Sequence, residues 1–260
     1  MAFKTWRTGV HIQQDRVLAV CLTKERTGWN LRRWWQIPLD PGILRDGQII
    51  EPEQLVAALR TWSKVLPHHH RIFLAFPAAR TLQKALPCPA LNLRESEQAS
   101  WIASAMSREL EMAPDALCFD YVQDTLTRSF HVTAAQNKEV AALLTLAKTL
   151  RLHVAAITPD AGALVNLLLL LAPPVQCAVW RDDHHWLWAM RHQWGRKPLT
   201  EAGTVDDLAA LLALKPENMA LFAADNLDPF TLVTRNLPSI PESGADFTVA
   251  LALAMGDIIE

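Results

Sequence analysis

The residues best placed to do chemistry sit at two bends. The first is Gln13–Arg16, joining the short apolar runs Gly9–Ile12 and Val17–Leu22. Apolar runs bounded by turn formers read as a β-hairpin. A turn of this kind holds phosphate oxygens when it offers Gly, Ser or Thr, because bare amides and hydroxyls can close on an anion. This turn has none of the three, and Asp15 points a like charge at any anion. The second bend, Arg181–His185, joins Gln176–Trp180 to Trp186–Met190 and carries Asp182, Asp183, His184 and His185. Adjacent carboxylates repel phosphate unless a metal intervenes. Imidazole with carboxylate suits zinc, but polar residues are also what a hairpin turn requires, so no metal site is assigned. His68-His69-His70 follows Pro67 between a helix and a strand. Three successive side chains cannot all face one ion in regular structure, and the run is expected to be a solvated loop. No Gly-x-Ser-x-Gly elbow is present, so no catalytic nucleophile is assigned.

The elements that carry these bends alternate between strand and helix. Trp29–Ile37 alternates with period two, placing Trp29, Leu31, Arg33, Trp35 and Ile37 on one side. Leu55, Leu59, Trp62 and Leu66 form one stripe of a helix over Pro52–Leu66. Arg71–Phe76 is apolar throughout, as in a strand covered on both faces. Ala78–Pro89 leads away through prolines, and Asn92-x-x-Glu95 opens a helix running to about Met112. Cys118–Val122 and Ser129–Ala134 pair around Gln123–Arg128. A helix over Asn137–Leu150 and a strand over His153–Ile157 follow. Thr158-Pro159-Asp160 reads as a hydroxyl N-cap, proline and acid, starting a buried helix that stops at Pro173–Pro174. Further on come a helix over Thr204–Leu214, a strand over Met219–Ala223 and a last helix, Phe247–Met255, capped by Asp246. The fold class is α/β.

A chain of 260 residues can bury an ample core. Its net charge of −2 gives no basic excess for direct nucleic-acid binding. Cys21, Cys88, Cys118 and Cys177 are scattered without a CxxC pair, the pattern of free thiols in a reducing compartment. MAFKTWRTGV has no apolar run of secretory type, and the longest apolar segment, near Leu167–Ala172, is too short to span a bilayer. The expected location is cytoplasmic. Ten tryptophans include the adjacent pair Trp34–Trp35, of which one must be exposed or covered by something else.

Several phrases occur in the order and rough spacing of one family. They are Ile37-Pro-Leu through Arg45-Asp-Gly-Gln-Ile, Phe73-Leu-Ala-Phe-Pro, Phe119-Asp-Tyr, Val132-Thr-Ala-Ala, Ile157-Thr-Pro-Asp and Phe247-Thr-Val-Ala-Leu-Ala-Leu-Ala-Met-Gly. From about residue 8 to 256 the chain resembles PilM, the actin-like cytoplasmic component of type IV pilus assembly. It is most like the short enterobacterial branch linked to use of external DNA as a nutrient. The resemblance implies an actin-like, FtsA/PilM-type two-lobe fold with a reduced second lobe. The first-lobe core would be 1–80 and 155–172, an inserted subdomain 81–154, and the second lobe 175–260.

The resemblance also implies a nucleotide cleft, whose signatures are altered here. The family's Gly-Ile-Asp-Ile-Gly with following hydroxyls and a Lys becomes Gly9-Val10-His11-Ile12-Gln13, with Leu18 at the Lys position. The second phosphate loop becomes the stretch with Asp182 and Asp183, and the adenosine glycines become Ala223-Ala224-Asp225-Asn226. The expectation is a degenerate site at Gly9, His11, Gln13, Asp15, Asp182 and Asp183, with no catalytic residue and no bound ATP, magnesium or other metal. By the same resemblance, the partner is the cytoplasmic tail of a PilN-type inner-membrane protein, gripped in a first-lobe groove. Membrane contact would come only through that partner. A nucleotide-driven ATPase is the alternative.

Overall fold

The computed structural model describes residues 5–90, 93–236 and 239–256. Its contacts divide the chain into a larger unit, 1–78 with 146–260, and a smaller one, 79–145.

The chain opens with a three-stranded meander: β1 (Trp6–Ile12), β2 (Arg16–Glu25) and β3 (Gly28–Pro38). Both expected strands of the first hairpin are thus extended outward from the bend. The alternation of β3 is broken. Cys21 pairs with Arg33 but Leu22 pairs with Leu31, so Arg32 is an extra residue in a β-bulge. Period two then restarts on the opposite phase. Trp29, Leu31 and Trp34 join one hydrophobic cluster, while Trp35 and Ile37 join another. The expected single face of five residues is therefore split. Each tryptophan of the pair is half-buried: Trp34 packs edge-on to Phe247 and donates to the Ser239 carbonyl at 2.8 Å, and Trp35 packs edge-on to Trp62.

A small hairpin, β4 (Leu44–Arg45) with β5 (Gln48–Ile49), precedes α1 (Pro52–Ser63), which buries Leu55, Leu59 and Trp62. β6 (His70–Phe76) lies between β1 and the strand over Val154–Pro159 and runs parallel to both. Its first residue corrects the expectation of a solvated histidine loop. His70 is buried and stacked on His153 at 4.7 Å, and its Nδ1 donates to the Pro67 carbonyl at 2.6 Å. Its Nε2 then accepts the His153 amide at 3.3 Å.

The smaller unit is a three-stranded antiparallel sheet with one helix on it. β7 (Thr81–Pro87) falls where an irregular lead was expected; it is a largely exposed edge strand and so carries little apolar pattern. α2 (Glu95–Leu110) follows, with Arg94 as N-cap and the Glu97 carboxylate accepting the Arg94 amide at 2.7 Å. Asn92, expected to open this helix, lies outside the described residues. β8 (Leu117–Asp124) and β9 (Ser129–Gln136) complete the sheet in the order β7-β9-β8, over a core of Leu86, Ile102, Met106, Phe130 and Val132.

α3 (Asn137–Thr149) carries the chain back. From Leu146 it belongs to the larger unit, because Leu146, Ala147, Leu150 and Leu152 are buried against α1 and the first sheet. The return comes earlier than the expected boundary at 154. β10 (Val154–Pro159) then pairs with β6 through Thr158 and Pro159, opposite Ala75 and Phe76. Thr158 is therefore a sheet residue and not an N-cap. The expected single helix is two short pieces, α4 (Asp160–Ala163) and α5 (Val165–Leu168). Ala161, Ala163, Leu164 and Leu167 are buried as expected, but Leu169 and Leu170 are exposed.

The second sheet has the order β13-β12-β11-β14. It is built from β11 (Cys177–Arg181), β12 (His185–Ala189), β13 (Trp194–Pro198) and β14 (Met219–Phe222). β13 was not legible, since Gly195, Arg196 and Lys197 show no apolar alternation. Between β13 and β14, α6 (Val205–Leu211) is capped reciprocally by Thr204 and Asp207. The last elements of the expected second lobe, 175–260, return to the first sheet. β15 (Arg235–Asn236) pairs with β3 at the edge of the first sheet, and α7 (Thr248–Met255), buried along its whole length, lies against β1, β2 and β6. Both sheets and α7 contribute to one hydrophobic cluster. Asp246 does not cap α7 either: its carboxylate turns to Arg16, 3.3 Å away.

Candidate functional site

A cleft of about 580 Å³ opens between the β1–β2 bend, the β4–β5 turn and the β11–β12 bend. It brings together His11, Gln13, Asp15, Asp182 and Asp183 from the sequence expectation. Gly9 is not among its lining residues. That glycine lies under α7, where a β-carbon would stand 1.9 Å from the Ala250 carbonyl oxygen. Its observed place is one of helix-to-strand packing. The replaced adenosine stretch, Ala223–Asn226, also lies outside the lining.

His11 and Gly9 share a face of β1, being two residues apart. The His11 ring is buried and meets the Trp180 indole edge-on, centroids 5.7 Å apart. Burial, before any charge effect, holds its pKa down at about 4, so the ring is neutral at pH 7. Its Nδ1 lies 3.3 Å from Gln13 Nε2, and Gln13 Oε1 accepts from Arg16 Nε at 2.9 Å. The hydrogen therefore sits on Nε2 of His11. Arg16 also reaches Asp246 on the far side of the cleft and Asp15 beside it, at 3.3 and 3.8 Å.

Three of the bend amides are already used. Gln13 N–H donates to the Arg16 carbonyl at 2.8 Å. The Asp182 carboxylate accepts the amides of His184 and His185, at 2.7 and 2.6 Å. This is a side chain turned onto its own backbone, and it occupies the donors with which a phosphate loop works. His185 stands 3.5 Å from Asp182 and 2.6 Å from a guanidinium nitrogen of Arg196. Burial first, and Arg196 second, lower its pKa. Among the described residues, no group of three or more His, Cys, Asp or Glu is arranged to hold a metal ion.

Sequence reasoning passed over two residues of this cleft. Asp160 was read as an acid in the first turn of a helix. Its carboxylate accepts the amides of Ala78 and Ala161, at 2.9 and 2.6 Å, and burial raises its pKa to about 6. Trp180 stands in sequence at the strand end of the second loop, with no chemical role assigned; it forms part of the floor and donates Nε1–H to the Ala245 carbonyl at 2.8 Å. Both depend on pairings between distant segments, so nothing local marks them. Around the cleft the lining aspartates outnumber the arginines, Arg16, Arg45, Arg181 and Arg196. This donor set, rich in carboxylates and with the amides of Gln13, His184 and His185 engaged, does not fit a triphosphate.

Sequence comparison identifies a relative, the DNA utilization protein HofM of Escherichia coli (strain K12). It is 47% identical over 256 residues, 98% of this chain and 99% of the relative. The chain belongs to the HofM family. No family model matches it. The fold of this HofM-family chain is similar to that of the PilM–PilN type IV pilus biogenesis complex, with a TM-score of 0.70 and 14% identity over 98% of both chains. It is also similar to the cytoplasmic domain of EpsL, an inner-membrane component of the type II secretion system of Vibrio cholerae. There the TM-score is 0.60 with 10% identity, covering 96% of this chain and 95% of EpsL's. A Bacteroides thetaiotaomicron protein with an actin-like ATPase fold is matched at a TM-score of 0.50. The HofM-family fold is thus actin-like, as the sequence resemblance implied.

Proposed function

We propose that this chain is a non-catalytic scaffold of a type IV pilus-like DNA-uptake machine, serving the use of extracellular DNA as a nutrient. It does so by gripping the cytoplasmic tail of a PilN-type inner-membrane protein. The observation that carries the non-catalytic part is the engagement of both bends by their own side chains. Asp182 takes up the amides of His184 and His185, and Gln13 is spent on the side chains of His11 and Arg16. The partner is supported by the likeness of fold to PilM solved with PilN, and the role by kinship to a DNA utilization protein. No helix among the described residues is long and apolar enough to cross a membrane. Attachment to the inner membrane through a bound tail supplies what the chain's own helices do not. The tail orders as it docks, so its affinity comes from buried apolar side chains minus the entropy of ordering.

The test is a titration. A labelled peptide spanning the cytoplasmic N-terminal tail of the PilN-type protein is added to the full chain and followed by fluorescence anisotropy. Saturable binding is expected, and its absence at high micromolar protein removes the scaffold reading. The rival, a nucleotide-driven ATPase, draws on Asp160, a carboxyl poised near neutrality at the cleft floor. It requires Mg-ATP to raise the thermal midpoint by several degrees, since a ligand bound only by the native state stabilises it. The scaffold reading expects no shift.

A further inference from the structure

The contacts across the cleft form a closed circuit. From the first hairpin, Arg16 Nε donates to Gln13 Oε1, and the Gln13 amide nitrogen meets His11 Nδ1. The His11 ring abuts the Trp180 indole, which belongs to the second sheet. Trp180 Nε1–H donates to the Ala245 carbonyl, in the turn that leads into α7. Asp246, the next residue, returns to Arg16 through its carboxylate. The same Ala245 carbonyl accepts the Thr248 hydroxyl at 2.5 Å, tying the turn to the helix it starts. Three chain segments far apart in sequence are thereby linked in one ring: the β1–β2 bend, β11 and the entry to α7.

We infer that this circuit is a built-in clamp. It holds the two sheets and α7 in one arrangement without a ligand. Arg16 is its positioning residue, because it alone touches both ends of the path, Gln13 and Asp246. The inference rests on the non-catalytic reading of the cleft and adds to it a constitutive lock. A linked ring of contacts in a partly buried site couples its members, and a side chain removed anywhere opens the whole path. Closed circuits differ from independent contacts in one measurable way: a second break adds little to the first.

The experiment is amide hydrogen exchange on the full chain, resolved by segment, with no partner peptide present. Its result is therefore independent of the titration above. The variants are Arg16→Met, which keeps the apolar stem, Trp180→Phe, which keeps a ring against His11 but loses Nε1–H, and the two combined. Arg16→Met is expected to speed exchange about tenfold or more in 176–181 and 244–250, with peptides from 79–145 unchanged. The double variant is expected to differ little from the single ones. Unchanged exchange in 244–250 on Arg16→Met overturns the clamp, and so does full additivity in the double variant. Added protection of these segments in the wild-type chain on addition of Mg-ATP also overturns it. Should Trp180→Phe fold poorly, Gln13→Leu, in a solvent-facing bend, takes its place in the cycle with the same expectations.

Discussion

A β-carbon on Gly9 would stand 1.9 Å from the carbonyl oxygen of Ala250 and 2.7 Å from the amide nitrogen of Ala254. Both are backbone atoms of a helix buried along its whole length, so neither can yield by a rotamer change. Gly9→Ala must push α7 off the first sheet. The expected cost exceeds about 4 kcal/mol, read as loss of soluble protein or a collapsed urea midpoint. Gly42 provides the contrast. It has φ of +92° and nothing within 4 Å of its would-be side chain. There alanine meets only backbone strain, and about 1 kcal/mol is expected.

His11 makes the protein sensitive to acid. Its native pKa of about 4 lies below the ordinary histidine value of 6.5. Between these pH values the unfolded chain binds the proton and the native one does not. The stability His11 secures is thus complete above pH 6.5 and is lost as pH falls toward 4. The loss is about 3 kcal/mol over that window. His11→Asn, which keeps an acceptor for Gln13 but does not titrate, should flatten the stability profile from pH 6.5 to 4 in chemical denaturation.

Asp160 acts in the opposite sense. Its native pKa, about 6, is raised from the usual value of 3.8. The native state therefore holds the proton more tightly, and stability falls as pH rises from 3.8 to 6. Asp160→Asn keeps an acceptor for Ala78 and Ala161 without the buried charge. Allowing for the partial exposure of the side chain, a gain of about 1–2 kcal/mol is expected at pH 7.5 and essentially none at pH 4. A loss at pH 7.5 would show that the charged acceptor is worth more to the two amides than its desolvation costs.

The four thiols should separate by access. Cys118 is exposed and Cys88 half-buried, whereas Cys21 and Cys177 are buried, with burial pushing both thiols up to about 12. A maleimide added to native protein at pH 7 is expected to modify Cys118 first and Cys88 more slowly. Cys21 and Cys177 should react only after denaturation, and mass spectrometry of the digested chain reads the order.

Strands written as apolar runs between turn formers were legible, as in β1, β2 and β6, and so was the paired hairpin of β8 and β9. Those at edges were not: β7 is mostly exposed and β13 is rich in polar residues, so neither writes a hydrophobic rhythm. Two capping patterns misled for a common reason. Thr158 and Asp246 each have the local chemistry of a cap, but a tertiary partner claims them, Ala75 in the sheet and Arg16 in the cleft. The bend residues of the site were readable because each bend is continuous in sequence. The floor was not, because Trp180 and Asp160 reach it only once the two sheets are assembled.

The bulge at Arg32 has a consequence for any change of length in β3. Strict alternation would put Trp29 and Trp35 on one side and Trp34 on the other. With one supernumerary residue, the same ribbon supplies Trp29 and Trp34 to one side and Trp35 to the other. Deleting Arg32 would leave Cys21 and Leu22 opposite consecutive residues and keep Trp34 on the side of Leu31 and Trp35 on the side of Ile37, whereas pairing the full strand without the bulge would exchange the destinations of every residue after it. The distribution of aromatic mass between the two layers is thus governed by a single insertion and not by composition.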